Sequence, residues 1–377
     1  YEESDELMKT YASMDGSRIL IQKFNDNPDY LNSISNNQKD YELKKSLINS
    51  SSSDFGPSFF QKDKVVFATA SSTVGDKIYD WNQQAFLDLY VADMDTQGNL
   101  SNAKPLPGEV NTEFHEASAV FTKDGKTMYF TRNNFIDGKK GKDKDKTIRL
   151  KIYKASRSGD TFWTDIVELP FNDDSYSVAY PALSLDEKRL YFSSDMPGTL
   201  GMSDLWYVDI LENDEFGTPV NLGSSINTEA REAFPFISDK NNFYFSSDGH
   251  MGLGGLDVFI ATLDEEGIPG DITNLGEPIN GIQDDFGFII NEEKRIGYFT
   301  SNREGDGGSI NDDIYGVYER CEISITGTVT DKDTGDLIPG ATVSMMDSNN
   351  NLIASVVVGS DATFNFMAEC DSKYSII

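Results

Sequence analysis

The chain is poor in cysteine and histidine, with two of each in 377 residues. Cys321 and Cys370 stand 49 positions apart, which excludes a CxxC redox or zinc motif. Two readings of the pair stay open. One is a structural disulfide, stabilising by about 4 kcal/mol through loop-closure entropy and implying an oxidising compartment. The other is two buried free thiols. His115 and His250 fall in loops of different repeats with no companion nearby in sequence, so both read as surface residues. Neither has the oriented partner that a general base requires. A Gly-x-Ser-x-Gly elbow is absent as well, which removes the serine hydrolase reading. Basic residues are few: 32 Lys and Arg against 63 Asp and Glu leave a net charge of −31. Such a field repels phosphate backbones and excludes nucleic acid as a partner. No apolar run approaches the roughly 20 residues of a membrane helix, and no signal peptide is visible at Tyr1.

What the chain does have is a repeated aromatic strand. It reads Val65-Val66-Phe67-Ala68-Thr69, Met128-Tyr129-Phe130-Thr131-Arg132, Leu190-Tyr191-Phe192-Ser193-Ser194, Phe243-Tyr244-Phe245-Ser246-Ser247 and Gly297-Tyr298-Phe299-Thr300-Ser301. About eight residues before each central Phe lies a second short strand, as in Gly56-Pro57-Ser58-Phe59 and Phe234-Pro235-Phe236-Ile237. Turn residues such as Lys123-Asp124-Gly125-Lys126 separate the two, so each pair is a hairpin. A third strand follows, beginning with Asp88, Asp204, Asp257 and Asp313 in four repeats and with Lys151 in the remaining one. A fourth ends in an apolar–Asn pair, Val110-Asn111, Ile226-Asn227 and Ile279-Asn280, from which Leu169-Pro170-Phe171-Asn172 departs. Four antiparallel strands per repeat are the signature of propeller blades, which bury their faces against neighbouring blades.

The expectation is therefore an all-β chain: a five-bladed β-propeller over residues 41–320, followed by a small β-sandwich over 321–377 that stops inside a strand. The last repeat lacks its fourth strand, and residues 41–49 supply it, closing blade five and removing an exposed sheet edge. Residues 1–40, with a helix-compatible segment Glu3 to Tyr11, read as a linker or the end of an upstream helical domain. After Cys321, alternating β-branched residues and Asp-Lys-Asp-Thr-Gly turns mark the sandwich.

Candidate chemistry is sparse. Asp88, Asp204, Asp257 and Asp313 read either as a carboxylate ring for a cation or as acceptors for backbone N–H groups of the preceding Gly-rich loops. Repetition in every blade favours the second reading. Asp93 to Asn99 imitates the start of a calcium loop, but Lys104 stands where the twelfth-position Glu belongs, so the segment reads as a turn. The loop Gly249 to Gly255 opens a strand and not a helix, which removes a phosphate-loop reading. Lys139 to Lys146 reads as a solvated hairpin loop. The expectation is no catalytic, cofactor or metal residue.

The repeats Tyr191-Phe192-Ser193-Ser194-Asp195 to Asp204-Leu205-Trp206 and Tyr244-Phe245-Ser246-Ser247-Asp248 to Asp257-Val258-Phe259 resemble TolB-type, WD-like propeller repeats. Thr326 to Cys370 is similar to a carboxypeptidase-regulatory-like domain. With the entry Asp54-Phe55-Gly56-Pro57, this order resembles the OmpA-family, PorE-like proteins of Bacteroidota. The resemblance implies a non-enzymatic scaffold of the periplasm, associated with the outer membrane, often as a lipoprotein. It implies a link to type IX secretion or gliding machinery, a PorP/SprF-type barrel as partner, and peptidoglycan held by an OmpA-like domain outside this sequence. The alternative from another class is a glycan-binding or glycan-processing propeller.

Overall fold

The computed structural model describes residues 6, 9–10, 13, 19–37, 40–71, 78–80, 82–136, 138–159, 161–212, 215–303, 311–370 and 372–377. The chain divides into two compact units, Tyr1–Tyr318 and Glu319–Ile377.

Unit 1 is built from five four-stranded antiparallel sheets. Their inner strands are Asp54–Phe60, Glu116–Phe121, Val178–Leu183, Glu232–Ile237 and Asp285–Asn291. Each inner strand touches the next, and the last touches the first, so the sheets close into a ring. The sheet begun by Asp285–Asn291 takes its outermost strand from Tyr41–Lys45, which lies against Asp313–Glu319. Tyr41–Lys45 thereby covers the edge that Asp313–Glu319 would otherwise expose.

The aromatic repeat explains why the sheets pack side by side. The central Phe of each second strand is buried, and its direct partner on the third strand is aromatic: Phe67 opposite Tyr90, Phe130 opposite Tyr153, Phe192 opposite Trp206, Phe245 opposite Phe259 and Phe299 opposite Tyr315. The preceding residue, Val66, Tyr129, Tyr191, Tyr244 or Tyr298, is buried too and points to the opposite face of the sheet. Both faces of every second strand are therefore covered, and the cores run between blades. Val66, Leu89 and Val91 of the first blade, for example, pack with Phe130 and Tyr153 of the second.

Each inner strand carries a bulge where its register with the second strand shifts. At the bulge one residue is left-handed: Gly56 (φ +63°), Ser118 (+40°), Tyr180 (+56°), Phe234 (+51°) and Gly287 (+62°). Glycine adopts this conformation without penalty, and the three side-chain-bearing residues do so at a cost of order 1 kcal/mol or more each. Two bulges are tied to the preceding blade. Gly56 N–H donates to Thr300 Oγ1 (3.1 Å), and Tyr180 N–H donates to Thr131 Oγ1 (2.9 Å).

Among the described residues, the helices Ile19–Asp26 (α1) and Tyr30–Asn37 (α2) precede the ring. Pro28 ends α1, since the residue before a proline avoids helical geometry. Phe24, Tyr30 and Ile34 are buried and pack with Met251 and Leu253, in the loop between the second and third strands of the fourth blade. The pair is thus held by buried contacts of its own. The segment Glu3 to Tyr11 lies largely outside the described residues. So does the loop from Gly305 to Gly308.

Unit 2 contains a two-stranded sheet, Glu322–Thr328 with Thr363–Glu369, and a three-stranded sheet of Thr342–Met346, Leu352–Val357 and Ser375–Ile376. Val343, Met345, Val358, Ala362, Phe366 and Ala368 form its core. Cys321 and Cys370 are joined by a disulfide across the start of the first sheet, with Cα atoms 5.4 Å apart.

Candidate functional site at the mouth of the ring

The end of the ring where the inner strands begin is built from two kinds of position. The first kind repeats from blade to blade and serves the backbone. Five asparagines, Asn49, Asn111, Asn172, Asn227 and Asn280, each hold one residue of a third strand. The Oδ1 atoms accept from the N–H of Ile314, Leu89, Ile152, Leu205 and Val258 (2.7–3.1 Å). The Nδ2 atoms donate to the carbonyls of the same five residues. A side-chain amide carries a donor and an acceptor in one plane, so it replaces a strand peptide where the outer strand has ended. Asn172 does this in spite of its divergent local sequence.

The carboxylates are committed to the same kind of task. The first residue of four inner strands accepts the backbone N–H four positions earlier: Ser50 to Asp54 (2.5 Å), Thr112 to Glu116 (3.0 Å), Thr228 to Glu232 (2.8 Å) and Gly281 to Asp285 (2.7 Å). The third-strand aspartates lie in the same rows, in separate blades. Asp204 accepts from Leu200 N–H (2.9 Å) and Asn221 Nδ2 (2.7 Å), and Asp257 from Leu253 N–H (2.6 Å) and Asn274 Nδ2 (2.8 Å). Asp313 meets Lys45 Nζ at 2.7 Å, and Asp88 is buried opposite Thr69. Among the described residues, no three His, Cys, Asp or Glu side chains converge as a metal ion requires. The inner-strand acids went unread in the sequence, although Asn111-Thr112-Glu113 with Glu116 and Asn227-Thr228-Glu229 with Glu232 repeat the same letters at the same spacing.

The second blade inverts the charge. Arg132 and Lys151 stand where other blades carry Ser or Thr and Asp; Arg132 Nε is 3.0 Å from Glu116 Oε1, and Lys151 Nζ is 2.6 Å from Glu168 and 2.7 Å from Asp174. Both cations are buried and paired.

Burial dominates the titration of this layer. It pushes Asp88 and Glu232 up to about 7 and Asp257 to about 6. A carboxyl whose folded value is raised binds an extra proton in the native state, so its stabilisation is complete below about pH 4 and is lost as pH rises through 6 to 7. The histidines act in the opposite sense. Burial lowers His115 to about 4 and His250 to about 3, and that stabilisation is complete above about 6.5. Between pH 6.5 and 8 the carboxyl loss outweighs the last of the histidine gain, so the melting temperature falls across this window. A flat profile from pH 6.5 to 8 in scanning calorimetry contradicts the assignment.

The structure also corrects the reading of the histidines as surface residues. His250 is 6% exposed; its Nε2 lies 2.6 Å from Ile226 O and its Nδ1 2.6 Å from Lys23 Nζ on α1. His115 is half-buried, its Nδ1 accepting from Leu87 N–H, with Tyr79 and Phe86 packed on its ring. A helix 227 positions away supplies the partner of His250, which local sequence cannot reveal.

The second kind of position varies between blades, with serine in two of them. Immediately before the inner strands stand Ser53, His115, Ser177, Arg231 and Asp284. Four of their N–H groups are fixed by a side chain just beyond the second strand, namely Asn133, Asp195, Asp248 and Asn302. Arg231 Nε pairs with Asp248 at 3.0 Å while remaining largely exposed, and Arg149 reaches Asp195 at 3.4 Å. Burial, and then the charge of Asp284, raises Asp312 to about 6. Deeper in the channel Tyr180 and Phe234 stack with centroids 4.0 Å apart, Phe286 lies 4.8 Å from Phe234, and Phe55 lies 6.1 Å from Phe286. Burial raises the Tyr180 phenol, Arg231 draws it back and Asp312 raises it further, so the ring lies within electrostatic reach of the mouth.

No protein-family model matches the sequence, and no curated protein is similar to it in sequence. Solved structures share the fold. TolB from Acinetobacter baumannii is similar over 72% of this chain at 16% identity, with a TM-score of 0.37; the match spans 55% of TolB, about half its length. An alpha-L-arabinofuranosidase from Lactobacillus brevis is similar over 78% of this chain and 95% of its own, at 13% identity and a TM-score of 0.47. A thermostable family-43 glycoside hydrolase is similar over 73% and 92%, at 12% identity and a TM-score of 0.46. These enzymes correct the expectation that the chain is not an enzyme. That exclusion rested on unpartnered histidines and a missing serine elbow, whereas glycoside hydrolysis requires only two suitably placed carboxyl groups. The fold itself is a β-propeller within an all-β chain.

Proposed function

We propose that unit 1 binds a cell-envelope glycan in the mouth of its ring. One observation carries this reading: the positions that repeat around the ring are committed to backbone hydrogen bonds, and those that vary gather carboxylate, amide and guanidinium groups above an aromatic layer. A sugar ring offers an apolar face to an aromatic surface and vicinal hydroxyls to planar, multidentate polar groups, and sites of this kind combine both. The mouth supplies both from different blades, so a bound glycan takes one orientation.

Glycan processing at the same site is favoured by Asp312. A carboxyl held at about 6 beside Asp284 has the character of a proton donor next to a second carboxylate. The proposed compartment is the periplasm, on the outer-membrane side, and the Cys321–Cys370 disulfide supports an oxidising environment.

Calorimetric titration with soluble peptidoglycan fragments and a panel of neutral oligosaccharides tests the reading, with mass spectrometry for cleaved products. Saturable binding is expected, weakened about tenfold or more by Arg231→Ala and by Asp312→Asn, since each removes a charged hydrogen-bonding group. No binding to any glycan, together with crosslinking of the mouth to an outer-membrane barrel in envelopes, overturns it in favour of a scaffold for a protein partner.

A further inference from the structure

Blades one and two carry a feature that blades three and four lack. Between its second and third strands each inserts a small hairpin, Ile78–Tyr79 with Gln84–Ala85 in the first and Phe135–Ile136 with Lys139–Lys140 in the second. The corresponding segments of blades three and four, residues 195–203 and 248–256, form no hairpin. The first hairpin is fastened to the mouth. Gln84 Oε1 accepts the N–H of Ser53, the mouth residue of blade one, at 3.1 Å, and Gln84 Nε2 donates to Oδ1 of Asn311, the chain neighbour of Asp312, at 2.8 Å.

These insertions gather aromatic side chains around His115, the mouth residue of blade two. Tyr79 meets the His115 ring edge-on with centroids 4.9 Å apart, and Phe86 lies 4.5 Å from it. Phe86 leads on to Phe114 at 5.8 Å, and Phe114 to Phe135 of the second hairpin at 4.7 Å. Phe114 is buried and supports the wall, whereas Tyr79 is 36% exposed. An aromatic ring left partly in water at the rim of a polar mouth offers its apolar surface to a guest.

Hydrogen bonding also sets the tautomer of His115. Its Nδ1 accepts the N–H of Leu87 at 3.1 Å, so the proton of the neutral ring sits on Nε2. That Nε2–H donor has no acceptor among the described residues. A fixed donor beside an exposed aromatic ring is the complement of a pyranose, which presents hydroxyl oxygens next to an apolar face. His115 and Arg231 stand on the second and fourth blades with Ser177 of the third between them, so the two anchor different parts of a ligand.

We propose that the wall is a second sugar subsite, in which one ring of the glycan packs on Tyr79 and accepts a hydrogen bond from His115 Nε2, so that the mouth takes an oligosaccharide and not a single sugar. The inference rests on the reading of the mouth as a glycan site.

Calorimetric titration of the full chain with soluble peptidoglycan fragments and neutral oligosaccharides, each beside its constituent monosaccharide, tests it. The oligosaccharide is expected to bind about tenfold or more tightly than the monosaccharide. Tyr79→Ala and His115→Asn each weaken the oligosaccharide about fivefold and leave the monosaccharide unchanged. His115→Asn keeps an acceptor for Leu87 N–H while removing the Nε2 donor, and Tyr79→Phe, which keeps the ring, retains the parent affinity. If no glycan binds the parent chain, the reading of the mouth falls and the subsite with it. If glycans bind but the monosaccharide equals the oligosaccharide, or both substitutions are without effect, the subsite alone is overturned. Loss of monosaccharide and oligosaccharide binding together overturns it too, because the wall is then a support for the mouth and not a subsite.

Discussion

Replacing Asn227 with alanine lowers the stability of unit 1 by about 3 kcal/mol in urea denaturation. Asn227 is fully buried and makes three hydrogen bonds: from Leu205 N–H to its Oδ1 at 2.8 Å, and from its Nδ2 to Leu205 O at 3.0 Å and Asn221 Oδ1 at 2.9 Å. The substitution leaves the buried Leu205 N–H unpaired, at about 1–3 kcal/mol with no solvent to compensate, and takes away two further bonds, though Leu205 O keeps the Leu222 N–H at 3.1 Å. Asn227→Asp is no rescue, because a carboxylate keeps the acceptor and loses both donors while placing a charge in the core. The same reasoning covers Asn280, which holds Val258 through an identical pair of bonds. A loss below about 0.5 kcal/mol for Asn227→Ala contradicts the role given to these five residues.

Removing residues 1–49 abolishes cooperative melting, whereas removing residues 1–40 preserves it. The shorter deletion takes away α1 and α2 and uncovers Met251 and Leu253, but leaves the ring intact. The longer one strips Tyr41–Lys45 from the third strand Asp313–Glu319, together with the Asn49 bonds to Ile314 and the Ser46 N–H bond to Ile314 O at 3.0 Å. An unpaired strand then faces solvent, and Phe288 and Tyr315 lose the cover of Tyr41, which favours edge-to-edge association. Calorimetry with light scattering distinguishes the two chains: a sharp, monomeric transition for the first and a broad, aggregating one for the second. A sharp transition in both contradicts the closure.

Much of this architecture was legible because the repeat is written in side chains that pair across strands. Phe67, Phe130, Phe192, Phe245 and Phe299 recur at spacings of 63, 62, 53 and 54 residues, and their aromatic partners follow on the third strand. The Asn of the fourth strand was visible too, but its reason was not, since a residue that replaces a peptide group leaves no periodic signature. The helices were hidden for a different reason. Tyr30–Asn37 reads Tyr-Leu-Asn-Ser-Ile-Ser-Asn-Asn, poor in helix formers, and is held by Tyr30 and Ile34 packing on a distant loop. Lys23 and His250, 227 positions apart, meet only through that packing. The mouth was illegible because its defining property is variation: Ser53, His115, Ser177, Arg231 and Asp284 share a place in the fold but no common chemistry, serine alone recurring.

The central claim is this separation between repeated positions that build the ring and varied positions that meet a ligand. Thermal melts of Arg231→Ala and Asp312→Asn beside Asn227→Ala test it most directly. Arg231 and Asp248 form a largely exposed ion pair of the kind worth about 0–1 kcal/mol. The two mouth variants are therefore expected to melt close to the parent chain, with Asn227→Ala many degrees lower. Mouth variants that melt as low as Asn227→Ala would show that the varied positions also hold the ring together, and the separation would be lost.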